Sequence, residues 1–219
     1  MPDLTTPLGR ARAHAYALVA EHAGINLVWR NLHRLSDRAY RSSQPTPGQL
    51  RRRIRRLGLR TVVCLRGFSE DSPLSLLERE VCAKEGCALE VYKMHSRKIP
   101  SGAIIRGARD LLERIEYPAL FHCKSGADRV GLFSTLYLHF EEGVPLAETR
   151  QLRFFPYGHV SGAKAGLLDH FFACYQAEHA AHGTPFLEWV DRMDPQELRD
   201  SFRPHPLWSL VFDKVLQRE

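Results

Sequence analysis

The stretch YPALFHCKSGADRVGLFSTLYLHFEEG, residues 117–143, decides the fold. Its opening run, PALFHC, is apolar and short, and predicts a buried strand. Its closing run, VGLFSTLYLHFEEG, is too long for a strand and ends on Gly143, which predicts a buried helix with a glycine cap. Between them lie Cys123, the small and polar residues Lys124 to Asp128, and Arg129. In a chain with 25 arginines the Cys-to-Arg spacing by itself says little. Its position says more. Of the 5 cysteines, only Cys123 has an arginine six residues on, and it alone stands where a buried strand gives way to a helix.

That junction suits an anion. Ligands of open α/β sheets bind at the carboxyl ends of strands, where a helix N-terminus offers free N–H groups and positive dipole charge. A thiol placed there is favoured as thiolate, the form that attacks. Gly126 lets the loop curl so that successive N–H groups point inward, and Arg129 adds a planar fork for two phosphate oxygens.

Working outward, RTVVCLRG (60–67) and CALEVYKM (87–94) predict two further strands, with a helix at about 73–85 between them. The segment RLSDRAYRSSQPTPGQ predicts a turn-rich entry to an arginine-rich helix, in which Leu50, Ile54 and Leu57 share one face and Gly58 closes the end. The run RRRIRR (51–56) then covers the solvated face of that helix, a polyanion patch being the alternative. Other helices are expected at about 7–22, around Ile104 to Ile115, and in PLAETRQLRFF, SGAKAGLLDHFFACYQAEHAA, TPFLEWVDRM and HPLWSLVFDKVLQ. Alternation of strands and helices predicts an α/β fold with a central, mainly parallel sheet flanked by helices. Leu167, Phe171, Cys174 and Tyr175 keep helical spacing and read as core. We expect one domain over 1–219, with a signature-bearing core at about 38–180 and a helical extension at about 181–219.

Composition limits the function classes. The net charge of +6 points to nucleic acid, an anionic membrane surface or a phosphorylated substrate. No run approaches the roughly 18 apolar residues of a membrane span, and the N-terminus has no secretory pattern, so the expected compartment is the cytoplasm. An odd number of cysteines without a CxxC pair argues against a disulfide framework and a structural zinc site.

HCKSGADRVG resembles the signature loop of the cysteine-dependent protein tyrosine and dual-specificity phosphatases: His, Cys, five residues, Arg. The upstream AYRSSQPTP and LGLRTVVCLR are similar to the compact dual-specificity type found in bacteria. The resemblance implies a phosphatase acting through a phosphocysteine intermediate on Cys123, without metal or cofactor. It also implies that the backbone N–H groups of Lys124, Ser125, Gly126, Ala127, Asp128 and Arg129, with the Arg129 guanidinium, hold the phosphate oxygens. His122 would hold the loop and the thiolate by hydrogen bonding.

Two departures stand out. Most of the family supplies the leaving-group proton from an Asp about 30 residues before the Cys, a spacing the resemblance implies; here that region reads KMHSRKIPS and has no carboxylate. Asp128 is the expected substitute, with His95 and Glu70 or Asp71 as alternatives. Val130 stands where many relatives carry Ser or Thr, which predicts slow hydrolysis of the intermediate. Lys124, Arg97 and Lys98 make the mouth basic, which favours an inositol phosphate or phospholipid over a phosphorylated protein and permits peripheral membrane contact. Arg41, Arg66, Gln151, Arg153 and His159 read as structural. Nucleic acid is not the expected partner, and the oligomeric state is left open. The rival readings are a pseudophosphatase that binds phosphate without turnover and, more remotely, a sulfurtransferase.

Overall fold

The computed structural model describes residues 6–19 and 29–204. The chain divides into two compact units, one formed by residues 1–93 with 116–126, the other by 94–115 with 127–219. Neither is continuous in sequence, and the signature loop runs along the chain from the first into the second.

The first unit holds the sheet. Its strands are β1 (His33–Arg34), β2 (Ala39–Ser43), β3 (Thr61–Cys64), β4 (Ala88–Val91) and β5 (Ala119–Cys123), in the order β1-β2-β5-β3-β4. All pairs are parallel except β1–β2, so the sheet is mixed, and the fold is α/β. The β-branched TVVC of β3 and the ALFHC of β5 are buried at every residue, as central parallel strands require.

Among its described residues this unit also holds helices α1 (Pro7–Val19), α2 (Pro47–Leu57) and α3 (Pro73–Lys84). The boundaries of α2 follow from local chemistry. Thr46 accepts from the Gln49 amide while the Gln49 side chain accepts from the Thr46 amide, Pro47 opens the first turn, and Gly58 ends it at φ +62°. Leu50 and Ile54 then bury against Val62, Val81, Cys82 and Leu120. Each such side chain contributes about 1.5–3 kcal/mol.

Three expectations need correction. The residues read as a turn-rich entry contain β2, a strand without an apolar run. Its polar residues are buried because each finds a partner: the Ser42 hydroxyl donates to the Ser43 carbonyl (2.7 Å) and accepts from Arg53 (2.9 Å), while Ser43 bonds the carbonyls of Trp29 and Arg30 (2.9 Å each). Second, Arg53 turns inward from the arginine run, so that helix face is not wholly solvated. Third, PLAETRQLRFF forms only a 3-10 turn, Leu146–Glu148. Thr149 bonds back to the Leu146 carbonyl (3.0 Å), and Arg150 takes a left-handed φ of +48°, which stops the helix.

The second unit is helical: α4 (Gly102–Arg114), α5 (Asp128–Glu142), a 3-10 turn Lys164–Gly166 leading into α6 (Leu167–His182), α7 (Phe186–Arg192) and α8 (Pro195–Ser201). Residues Val130 to Leu138 of α5 are all buried, so Val130 is a core residue. Leu167, Phe171 and Tyr175 of α6 are core as expected, whereas Cys174 is only half-buried; Phe171 and Tyr175 pack on Trp189, and Tyr175 lies 4.9 Å from Phe186, ring centre to ring centre. The C-terminal helix read in HPLWSLVFDKVLQ lies outside the described residues, as do the last residues of the helix expected at 7–22.

Candidate active site

Cys123 ends β5 and is 1% exposed. Register sets it opposite Ser43 on β2, with His122 opposite Ser42. The next three residues are held by their carbonyls. The Lys124 carbonyl accepts from the Gln44 amide (3.2 Å), and that of Ser125 from Trp29 Nε1 and Asn31 Nδ2 (3.1 Å each). The Gly126 carbonyl accepts from Asn31 Nδ2 (2.9 Å) and from Arg41 Nη2 (2.8 Å). In a planar trans peptide the N–H points opposite to the C=O. Three carbonyls anchored by Arg41 of β2, Gln44 just after it, and Trp29 and Asn31 before β1 therefore turn the amides of Ser125, Gly126 and Ala127 the other way. Successive N–H groups that face one way can form an anion nest.

Gly126 is required twice over. Its φ is +77°, and a Cβ there would meet the Ser43 nitrogen at 2.6 Å and Asn31 Nδ2 at 2.8 Å. The loop sits that close to β2 because only a glycine permits it. Arg41, read from the sequence as structural, is wholly buried and serves this support.

Behind the nucleophile, His122 is buried completely, with Nε2 2.8 Å from Glu78 Oε1. The contact is ionic more than a directed hydrogen bond. Burial alone would lower the pKa of this imidazole, but the Glu78 carboxylate and Cys64 raise it to about 10. The network continues outward: Gln44 Nε2 donates to Glu78 Oε1 (3.0 Å), and Arg66 Nη1 donates to Gln44 Oε1 (3.1 Å). Gln44 thus grips both Glu78 and the Lys124 carbonyl. Cys64, Glu78 and His122 are the one set of gathered metal-ligand side chains among the described residues. The 2.8 Å separation within it is that of a charge pair, and Gln44 already occupies the same oxygen.

In the second unit, Asp128 and Arg129 open α5. Asp128 is 4% exposed and accepts from His159 Nδ1 at 2.7 Å. The opposite ring nitrogen, His159 Nε2, lies 2.6 Å from Asp169 Oδ2. Burial would keep this imidazole neutral, yet hydrogen bonds to Asp128 and Asp169 raise its pKa to about 9. Asp169 is one-third exposed, so the chain Asp128–His159–Asp169 leads from the interior to solvent. Arg129 is half-buried and forms no ion pair among the described residues.

The other residues singled out by sequence are placed as follows. His95 and Lys98 are exposed and Arg97 half-buried, all in the loop before α4. Glu70 is committed to Arg79 (3.0 Å), and Asp71 is exposed in the turn before α3. Sequence reasoning missed Glu78 and Gln44 behind His122, and Asp169 beside His159. No local spacing links these partners, since Gln44 and Glu78 lie 34 residues apart and His159 and Asp169 lie 10 apart.

No protein-family model matches the chain, and no curated protein sequence does either. Solved structures do. TpbA of P. aeruginosa is similar at TM-score 0.50 and 20% identity, over 78% of this chain and 90% of that one. A mutant form of Tk-PTP is similar at TM-score 0.50 and 19% identity, over 67% of this chain and 97% of that one.

Proposed function

From a chain with the fold of the cysteine-dependent tyrosine and dual-specificity phosphatases, we propose a metal-independent phosphomonoesterase with Cys123 as nucleophile. The observation that carries the reading is the anchoring of the Lys124, Ser125 and Gly126 carbonyls, which supports a phosphate cradle of loop amides next to a buried cysteine.

In this reading the Cys123 thiolate attacks phosphorus, the P–O ester bond breaks, and the leaving oxygen takes a proton from Asp128. The loop amides and the Arg129 fork stabilise the equatorial oxygens as charge develops on them. Water then gives a proton to the Asp128 carboxylate and attacks phosphorus, the S–P bond breaks, and the thiolate returns. His159, protonated between two carboxylates, sets the proton inventory of Asp128 and links it to solvent through Asp169.

His122 holds the end of β5, while Ser125, Gly126 and Ala127 serve through their backbone. Val130, a core residue, offers no hydroxyl to the departing thiolate, which supports slow hydrolysis of the intermediate. The basic Lys124, Arg97 and Lys98 support a multiply phosphorylated inositol or lipid over a phosphoprotein.

Turnover of p-nitrophenyl phosphate tests this. The wild type should hydrolyse it, vanadate should inhibit, EDTA should not, and Cys123→Ser should be inactive while still binding phosphate. Full activity in Cys123→Ser, or loss with EDTA, overturns the mechanism. Tight phosphate binding without turnover in the wild type would instead establish a phosphate-binding module.

A further inference from the structure

The arginines of α2 fall into two sets. Arg51 and Arg55 lie over Glu85, with guanidinium nitrogens 3.4 and 2.6 Å from its oxygens. These two are compensated. Arg52, Arg53 and Arg56 have no carboxylate partner among the described residues, and neither has Arg30. Those four side chains, with Leu32, Gln49 and Leu57, line a cavity of about 320 Å³ that no acidic residue among the described residues enters.

A solvated helix face would explain exposed arginines, but not Arg53. It is 7% exposed, its Nη1 donates to the Ser42 hydroxyl at 2.9 Å, and its Nη2 is buried with no partner. Burial, with the neighbouring Arg30, lowers its pKa to about 10, as expected for a charge that lacks an anion. A buried, unpartnered donor is costly, and so is a buried charge without a counter-charge. A bound anion would relieve both.

We propose that this cavity is an anion site, separate from the Cys123 loop, that takes a ligand carrying two or more phosphates. Four cations call for more negative charge than one phosphate brings, and guanidinium forks grip phosphate oxygens in pairs. Leu32, Leu57 and the aliphatic stems of the arginines would lie under the carbon frame that carries the phosphates. The volume is at the small end of ligand pockets and suits a single ring or a lipid headgroup. Ser42 stands opposite His122 in the β2–β5 register, so the group that holds Arg53 is on the strand beside the nucleophile's strand.

The test uses the full chain carrying Arg129→Ala, which removes the guanidinium of the Cys123 loop from the measurement. Inositol hexakisphosphate is titrated calorimetrically at physiological salt, and the same protein is sedimented with phosphatidylcholine vesicles containing either a phosphoinositide bisphosphate or phosphatidylserine at equal charge. Arg52→Gln with Arg56→Gln should weaken binding at least tenfold. Arg51→Gln with Arg55→Gln removes the same charge from the compensated side and should change it by less than threefold. Arg53→Lys, which keeps the charge and loses the fork, should fall between the two. Saturable binding of the soluble ligand alone assigns a free phosphate ester; selective sedimentation with phosphoinositide vesicles assigns a lipid headgroup. Equal weakening by the two double variants, equal sedimentation with both anionic lipids, or no saturable binding at physiological salt overturns the proposal. Turnover of p-nitrophenyl phosphate by the Arg52→Gln, Arg56→Gln protein with Arg129 intact should match the wild type, so this site can fail without the phosphatase reading failing.

Discussion

His122 and His159 are both buried, and both are held protonated by carboxylates, yet their surroundings differ in one respect. The carboxylate that faces His122 among the described residues, Glu78, is itself 5% exposed and is held by Gln44. His159 spans two carboxylates, of which Asp128 is interior and Asp169 is one-third open to water. Among the described residues a proton on His122 therefore has no acceptor in contact with solvent, whereas one on His159 can pass between Asp128 and Asp169. The first arrangement braces a strand end. In the proposed mechanism the second supplies a proton and recovers it. Equal burial and similar pKa shifts thus accompany different surroundings, and what separates them is where the second partner leads.

The comparison can be broken most forcefully at Asp128. If that carboxyl is the acid, Asp128→Asn should lower kcat on an alkyl phosphate by roughly 10² to 10⁴. The loss on p-nitrophenyl phosphate, whose leaving group needs little help, should be smaller. Equal losses on both substrates would mean that Asp128 only positions Arg129, and would move the search to His95.

Next in size is His159→Gln, expected to cost about tenfold in kcat, one step of about 1.4 kcal/mol in the barrier. A merely structural histidine could do that too, so the pH profile decides. Wild-type kcat should fall on a basic limb near the His159 pKa of about 9, and the variant should lack that limb. A limb that survives would remove His159 from the proton path.

At the braced end, Glu78→Gln should leave kcat nearly unchanged. It should destabilise the fold by about 1–3 kcal/mol, since His122 keeps a buried donor without its anion. A loss of activity comparable to that of His159→Gln would erase the distinction between the two histidines.

The smallest effect is a pH dependence of stability. Both histidines have folded pKa values above their ordinary 6.5: about 9 for His159 and about 10 for His122. Their contribution is fully present below about pH 6.5 and is lost as pH rises through those values. The melting temperature should therefore decline between about pH 7 and 10, less steeply in His159→Gln. A flat profile would mean that neither imidazole carries a proton in the folded protein.

The parts of the fold written in local pattern were legible beforehand. Residues 118–143 announce a strand, a loop and a helix through apolar content and Gly143, and the cap of α2 lies in Thr46, Pro47 and Gly58. β2 was not legible, because AYRSS has no apolar alternation and is buried only through distant partners such as Arg53 and Trp29. The helix expected after Pro145 failed at one residue, Arg150, whose left-handed backbone no propensity foretells. At the candidate site, the Cys123 loop is a contiguous motif. The pairing of Asp128 with His159 joins residues 31 apart and leaves no trace in spacing. The arginine run shows its two helical stripes plainly, but only the position of Glu85 reveals which stripe is compensated.

The phosphocysteine is the most direct test of the account. An Asp128→Asn protein mixed with p-nitrophenyl phosphate should form the intermediate with an activated leaving group and hydrolyse it slowly, since the base for water is gone. Acid quenching within the first turnovers, digestion and mass spectrometry should then place one phosphoryl group on Cys123. Phosphate on another residue, or steady turnover with Cys123 unmodified at every quench time, would contradict it.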